Sequence, residues 1–284
     1  MQTVIWSSKS KIVIAPENPV VMIGERINPT GRRKMAAALE AGDMSLIQAE
    51  ATRQVAAGAQ VLDVNVGVSG LDEPALMVEA IKAVSAVTDV PLCLDSASPK
   101  ALEAGLAVYQ GKALVNSVNG EEAKLKEVLP LVARHKAAVV ALTMDDNGIP
   151  RDVPTRLAIA ERIINEAAKL GIPAEDIVVD PLAMSVAADD QAGLSALTAM
   201  AAIRDKLGVN QTSGASNISF GLPDRVAVNA VFLAMAVMNG CNCPITDPTV
   251  WEIRRALLIA DLMLGKDEFA MNYITAYREI NSED

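Results

Sequence analysis

The stretch Ser213-Gly-Ala-Ser-Asn217-Ile-Ser-Phe-Gly-Leu-Pro-Asp-Arg225 interrupts an otherwise helix-rich, alanine-rich sequence. Residues 214–219 predict a buried strand, because the β-branched Ile218 lies among small residues and glycines bracket the segment. Asp224 is placed to cap the helix that follows. The stretch therefore predicts one βα unit, with the amide of Asn217 at the carboxyl end of its strand.

The same βα pattern recurs along the chain, after a short polar lead-in. Further strands are predicted over residues 20–28, 61–67, 90–96, 113–117, 138–144, 177–181 and 244–247. Helices are predicted over residues 45–57, 73–87, 100–109, 121–135, 155–170, 191–207, 225–238 and 249–264. Such alternation predicts a parallel sheet. Eight repeats without a dinucleotide-type glycine loop favour an α/β fold closed as a (β/α)8 TIM barrel over an open doubly wound sheet.

We expect a single domain over residues 1–284, with a core over about 20–265 and a helical extension over 266–284. The net charge of -10 and the absence of a basic stripe argue against a nucleic-acid partner. No apolar run reaches the length of a membrane span and no secretory pattern begins the chain, so we expect a cytoplasmic protein. The three cysteines and the single histidine, His135, lack the spacing of a metal site, so no bound metal is expected.

Polar residues end every predicted strand, and in a barrel the carboxyl ends of the strands form one pocket. These residues are Glu25, Asn28, Asp63, Asn65, Asp95, Asn116, Thr143, Asp180, Asn217 and Asp247. No lysine is among them, which argues against Schiff-base chemistry. Carboxylates and amides suit a neutral ring that carries amino and amide groups, because they accept from its N–H groups and donate to its carbonyl.

Six motifs together resemble those of the methyltetrahydrofolate:corrinoid protein methyltransferases, a pterin-binding family with a dihydropteroate synthase-like barrel. The motifs are Ile23-Gly-Glu-Arg-Ile-Asn28, Leu62-Asp-Val-Asn-Val-Gly67, Leu92-Cys-Leu-Asp-Ser96, Val115-Asn-Ser117, Val179-Asp-Pro-Leu182 and Ser216-Asn-Ile-Ser-Phe-Gly-Leu-Pro223. They occur in the family's order between about residue 21 and about residue 264. The resemblance implies transfer of a methyl group between N5 of methyltetrahydrofolate and Co(I) of a corrinoid, in either direction.

The resemblance also implies roles for individual residues. Asp95, Asn116 and Asp180 would hold the pterin, and Asn217 would contact N5 as the catalytic donor. The remaining substrate-binding candidates are Arg225, Glu25, Asn28, Asp63, Asn65 and Phe220. Glu25 could instead form a structural ion pair with Arg26, and Thr143 and Asp247 are expected to pack or cap rather than to bind.

The family resemblance implies partners as well as residues. The chain lacks the D-x-H-x-x-G motif of a corrinoid-binding domain, so the corrinoid (cobalamin) is expected on a separate corrinoid protein. We expect a homodimer, and tetrahydrofolate or tetrahydromethanopterin remain open as the pterin. Two alternatives stay open: a catalytically passive pterin-binding or docking subunit, and dihydropteroate synthase. Against the synthase, Asn28-Pro-Thr-Gly replaces a longer loop and no late Arg-x-His anion site is present.

Overall fold

A computed structural model describes residues 1–281. Ten strands are present in this range: β1 Thr3–Trp6, β2 Lys11–Ile14, β3 Ile23–Ile27, β4 Val61–Asn65, β5 Leu92–Asp95, β6 Leu114–Asn119, β7 Ala138–Leu142, β8 Ile177–Asp180, β9 Asn210–Gln211 and β10 Ile245–Thr246. Strands β3 to β10 form a parallel sheet in the order β10-β3-β4-β5-β6-β7-β8-β9. The predicted α/β barrel is confirmed.

The barrel closes between its two shortest strands, β9 and β10. Gly214 and Ile245 form a parallel bridge just beyond β9. The N–H of Ile245 donates to the carbonyl of Ser213 at 3.0 Å, and the N–H of Cys243 donates to the carbonyl of Gln211 at 3.1 Å. These bonds satisfy backbone groups that an open sheet edge would leave unpaired.

Ten helices surround or follow the sheet in the described residues: α1 Arg33–Glu40, α2 Ser45–Ala56, α3 Glu73–Val87, α4 Pro99–Val108, α5 Glu122–His135, α6 Val153–Lys169, α7 Ala192–Lys206, α8 Arg225–Met238, α9 Trp251–Met263 and α10 Met271–Asn281. The eight predicted helices correspond to α2 to α9. The side chain of Asp224 accepts from the N–H of Ala227 and caps α8, as its sequence position predicts. Helix α10 lies in the expected C-terminal extension, whose residues 282–284 lie outside the described part.

The period of two along a strand explains why polar side chains collect inside the barrel mouth. Ile23, Val61, Cys93, Leu114 and Val178 belong to the apolar cluster that fills the barrel interior. The residue two positions later on each strand points to the same side of the sheet but lies nearer the carboxyl end. These second residues are Glu25, Asp63, Asp95, Asn116 and Asp180. The interior is therefore apolar below and polar at the mouth.

The opposite end of the barrel is plugged by a hairpin that the sequence did not predict. Strands β1 and β2 pair in antiparallel fashion, and Ile5 and Ile14 are fully buried in the barrel interior. Asn210 donates its side-chain amide to the hydroxyl of Thr3 at 2.8 Å and to the carbonyl of Ile14 at 2.9 Å. The first residues are thus a structural plug rather than a polar lead-in.

The predicted strand over residues 214–219 is wrong. Only Asn210–Gln211 forms a strand, and Ala215–Asn217 is a single 3-10 turn. The N–H of Asn217 donates to the carbonyl of Gly214 at 3.2 Å. Once the bridge between Gly214 and Ile245 has closed the barrel, no neighbouring strand is available to pair with the next residues, and the chain turns over the mouth.

Candidate functional site

Two side-chain amides hold two carboxylates at the barrel mouth. Asn65 donates its Nδ2 to Oδ2 of Asp95 at 2.9 Å, and Asn116 donates its Nδ2 to Oδ1 of Asp63 at 3.2 Å. All four residues lie on the adjacent strands β4, β5 and β6. The structure therefore brings together these four predicted site residues.

Asp63 lies beneath the other polar residues and is only 3% exposed. Burial raises its pKa well above the usual range, and the charge of Asp95 raises it further, while hydrogen bonds from Cys93 and Asn116 act in the opposite sense. Burial also raises the pKa of Asp95, against hydrogen bonds from Asn65 and Asp63. Two buried carboxyl groups in contact favour a shared proton, because burial and mutual repulsion both disfavour ionisation of the pair.

Asp180 ends β8 and is 6% exposed. Its Oδ1 accepts from the backbone N–H of Leu182 at 2.7 Å, and the N–H of Gly214 also faces its carboxylate. Leu182 adopts φ 63°, a left-handed conformation that is costly for a leucine. Burial raises the pKa of Asp180 to about 6, and these N–H groups and Arg156 act to lower it. At neutral pH Asp180 is therefore an anion aimed into the mouth.

The turn over the mouth exposes Asn217. Its side-chain amide makes no hydrogen bond to any residue that the structure describes, which argues against a buried, backbone-satisfied asparagine. Arg225 fixes the turn by donating its Nη2 to the carbonyl of Ser216 at 2.7 Å and its Nε to the hydroxyl of Ser219 at 3.1 Å. The Arg225 guanidinium lies 5.7 Å from the ring centre of Phe220, which is 69% exposed.

Glu25 meets the same turn from the other side. Ser216 donates its hydroxyl to Oε1 of Glu25 at 2.8 Å, and burial raises the pKa of this carboxyl group. Arg26 does not take Glu25 as its ion-pair partner: its Nε lies 3.1 Å from Oδ2 of Asp247. The partner of Glu25 is therefore the hydroxyl beside Asn217.

The other strand-end residues, Asp247, Asn28 and Thr143, differ in their contacts within the protein. Asp247 accepts from the backbone N–H of Thr249 at 3.0 Å and from its hydroxyl at 2.6 Å, so it stabilises the turn after β10 and does not cap α9. Asn28 accepts from the N–H of Thr30 at 2.8 Å. Thr143 is fully buried, and its hydroxyl has no hydrogen-bond partner among the described residues.

Three residues of the site could not be recognised as site residues from the sequence. Ser216 lies in a run of small residues beside Asn217, Cys93 lies within an apolar strand, and Arg156 lies within a predicted helix. Nothing in residues 1–281 groups three or more His, Cys, Asp or Glu side chains in a way that could hold a metal ion. Within the same residues, no helix is long and apolar enough to cross a membrane.

Residues 24–247 match the family described as pterin binding enzyme. The chain is 32% identical, over 92% of its length, to the methylcorrinoid:tetrahydrofolate methyltransferase of Eubacterium limosum, of which it covers 97%. It is 34% identical to the methionine synthase of Mycobacterium leprae over 81% of its length, but it spans only 20% of that protein.

Solved structures show the same fold at lower identity. Dihydropteroate synthase from Thermus thermophilus superposes with a TM-score of 0.67 at 23% identity, covering 91% of this chain and 99% of that one. Dihydropteroate synthase from Xanthomonas albilineans in complex with 7,8-dihydropteroate superposes with a TM-score of 0.68 at 19% identity, covering 89% of this chain and 96% of that one.

Proposed function

The chain belongs to the pterin-binding enzyme family, and within it to the family of the methylcorrinoid:tetrahydrofolate methyltransferase, and on that premise we propose how this methyltransferase works. It moves a methyl group between N5 of tetrahydrofolate and the cobalt of a corrinoid that a separate protein carries. The observation that carries the proposal is the cluster of Asp95, Asn116, Asp180 and Asn217 at one barrel mouth.

The buried acceptors at the mouth suit the donor edge of a pterin. Asp180 and Asp95 offer carboxylate oxygens, and the pterin supplies amino and ring N–H groups that can pair with them. Such pairing offsets the cost of burying a carboxylate, which is large while its oxygens lack donors. Asp63 lies deeper in the barrel than Asp95. We propose that it holds Asn116 and Asp95 in place and does not contact the pterin.

Asn217 is the proposed contact to N5. When the methyl group leaves N5 for Co(I), the cobalt supplies the electron pair of the new bond, and the C–N pair stays on N5, which gains a proton. In the reverse direction the N5 lone pair attacks the methyl group, the Co–C electron pair returns to cobalt, and N5 releases its proton. An exposed amide can donate to or accept from N5 in either state. A donor that tightens as charge develops lowers the barrier.

The remaining site residues surround this contact. Ser216 links Glu25 to the Asn217 turn, and Arg225 and Phe220 cover its outer side. We propose that Glu25, Asn65 and Asn28 line the pterin pocket, while Phe220 and Arg225 form its rim. The exposed rim leaves the mouth accessible to a corrinoid protein.

The direction that we favour is from the methylcorrinoid to tetrahydrofolate. It is supported by the name of the Eubacterium limosum relative, a methylcorrinoid:tetrahydrofolate methyltransferase, 97% of whose length this chain covers. A homodimer is supported by an apolar surface on α7 and α8, where Leu194, Val231 and Met238 are each more than three-fifths exposed. Patches of this kind on soluble proteins commonly mark interfaces.

A labelled-methyl experiment tests the function directly. The purified chain is mixed with Co(I) cobalamin and methyltetrahydrofolate labelled in its methyl group, and in a second mixture with labelled methylcobalamin and tetrahydrofolate. The labelled methyl group should be transferred to the acceptor in both mixtures. Asp180→Ala should slow the transfer, while Asp89→Ala, at the plugged end of the barrel, should not. Tetrahydrofolate binding without transfer would indicate a passive docking subunit. Formation of dihydropteroate from 4-aminobenzoate and a pterin pyrophosphate would indicate the synthase instead.

A further inference from the structure

Arg156 is a buried arginine that bonds only to backbone carbonyls. It lies in the first turns of α6, is 2% exposed, and donates its Nε to the carbonyl of Pro150 at 2.8 Å. Its Nη1 donates to the carbonyls of Pro181 at 2.8 Å and Leu182 at 3.1 Å. Among the described residues, no carboxylate lies within ion-pair distance of its guanidinium.

The two carbonyls bound by Nη1 belong to the turn that orients Asp180. Leu182 is held there at φ 63°, and its N–H donates to Oδ1 of Asp180 at 2.7 Å. A leucine stays in this sparsely populated conformation only where surrounding bonds enforce it. Because the guanidinium is planar and rigid, its Nε bond to Pro150 fixes the direction in which Nη1 donates to the two successive carbonyls, which a lysine ammonium cannot do equally well.

The charge of Arg156 also acts on Asp180. The groups that face the Asp180 carboxylate are the Arg156 guanidinium from α6, the N–H groups of Leu182 and Gly214, and the thiols of Cys241 and Cys243 before β10. Of these only the guanidinium carries a positive charge. Asp152, the acid that caps α6, is the other carboxylate that the guanidinium attracts.

We propose that Arg156 is a positioning residue for Asp180: its bonds to the carbonyls of Pro181 and Leu182 fix the turn after β8 that orients the Asp180 carboxylate toward the pterin, and its guanidinium places a positive charge near that carboxylate. The pterin part of this inference rests on the proposed function. The effect on Asp180 itself does not, because it can be measured without any ligand.

Titration of the Asp180 side-chain carbon by NMR, in the ligand-free protein, provides the first test. Arg156→Gln removes the charge, and the Asp180 midpoint should rise by about one pH unit. Arg156→Lys keeps the charge, and the midpoint should stay near that of the wild type. Arg162→Gln is the matched control, because Arg162 lies on the same helix but pairs at the surface with Glu122.

Tetrahydrofolate binding against pH provides the second test. Arg156→Gln should shift the acid limb of the binding profile to higher pH, because the positive charge is lost. Arg156→Lys should weaken binding about tenfold without moving that limb, because it loses the planar guanidinium but keeps the charge. In an Asp180→Asn background, Arg156→Lys should add little further loss, because both changes act through one carboxylate.

An unmoved Asp180 midpoint in a folded Arg156→Gln protein would overturn the charge part of the proposal. Equal losses from Arg156→Lys with and without Asp180 would overturn the positioning part. If Arg156→Gln does not fold, the Arg156→Lys and Asp180→Asn cycle still decides the positioning part. A wild-type protein that binds no tetrahydrofolate would instead refute the proposed function and leave the NMR result standing.

Discussion

Asn65 on β4 lies in register with Asp95 on β5, and its Nδ2 donates to Oδ2 of Asp95 at 2.9 Å. This bond and the hydrogen bond with Asp63 hold the Asp95 carboxylate at the barrel mouth. The same amide group accepts from the N–H of Gly67 at 2.9 Å, so the loop after β4 holds Asn65 in turn. Asp95 is therefore oriented before any ligand arrives.

Asp95→Ala should weaken tetrahydrofolate binding more than Asn65→Ala does. The first change removes an acceptor from a buried donor on the pterin, at a cost of about 1 to 3 kcal/mol, and the second removes only an orienting bond worth about 0.5 to 1.5 kcal/mol. Calorimetric titration measures both. Asp89→Ala, in an exposed pair with Lys9, is the control. Unchanged affinity in both site variants would show that tetrahydrofolate does not bind at Asp95.

The position of Asp95 could be predicted from the sequence because strand geometry alone places it. A strand that begins with a buried Leu92 and ends two residues after Cys93 puts its last side chain inside the barrel, at the carboxyl end. The same reasoning places Asp63, Asn116 and Asp180. Local periodicity was sufficient for these residues, because no tertiary contact had to be known.

The turn that carries Asn217 could not be predicted in the same way. Its run of small residues fits a strand or a turn equally well, and periodicity in so short a segment does not separate them. The outcome depends on closure of the barrel at Gly214 and Ile245, which is a contact between distant parts of the chain. Arg156 was missed for a related reason, because its partners lie in a loop after another strand.

Asp180→Asn should gain stability relative to the wild type as the pH rises from 4 to 7. The folded-state pKa of about 6 lies above the ordinary aspartate value of 3.8, so protonated Asp180 stabilises the fold and this contribution is lost as pH rises through 6. The variant has no proton to lose, and the difference in free energy of unfolding should grow by about 2 to 3 kcal/mol over this range.

Urea unfolding of the ligand-free proteins at several pH values measures this difference. Asp152→Asn is a useful comparison, because hydrogen bonds from the N–H and the hydroxyl of Thr155 lower the pKa of this exposed carboxyl group. Its difference from the wild type should therefore stay nearly constant from pH 4 to 7 and change in the opposite sense only on further acidification, through the lowered pKa. A difference for Asp180→Asn that stays constant from pH 4 to 7 would contradict the raised pKa of this buried carboxyl group.

Val231→Asp should convert the proposed homodimer to a monomer. Val231 is 62% exposed on the apolar surface of α8, and an aspartate buried there on association would lack a partner. Sedimentation equilibrium at micromolar concentration measures the mass. Val87→Asp makes the same replacement at an exposed valine at the end of α3 and should leave association unchanged. A monomeric wild type, or equal effects of Val231→Asp and Val87→Asp on association, would show that this surface is not a dimer interface.

Asn217→Ala should lower the rate of methyl transfer more than it weakens binding of methyltetrahydrofolate. The amide is exposed and makes no hydrogen bond to the described residues, so its removal leaves no buried group unpaired and the fold should survive. If the amide follows N5 as charge and proton arrive there, its bond strengthens in the transition state. Loss of one such donor costs on the order of 100-fold in rate.

Stopped-flow measurement of Co(I) disappearance at saturating methyltetrahydrofolate gives the rate, and a separate titration gives the affinity. Asn239→Ala, at the far end of α8, is the matched control and should change neither quantity. Ser216→Ala adds a second readout, because it releases Glu25 from the turn without removing the amide. A variant at position 217 that binds poorly but transfers methyl at the wild-type rate once saturated would make Asn217 a ligand contact only, since the amide would then stabilise ground state and transition state equally.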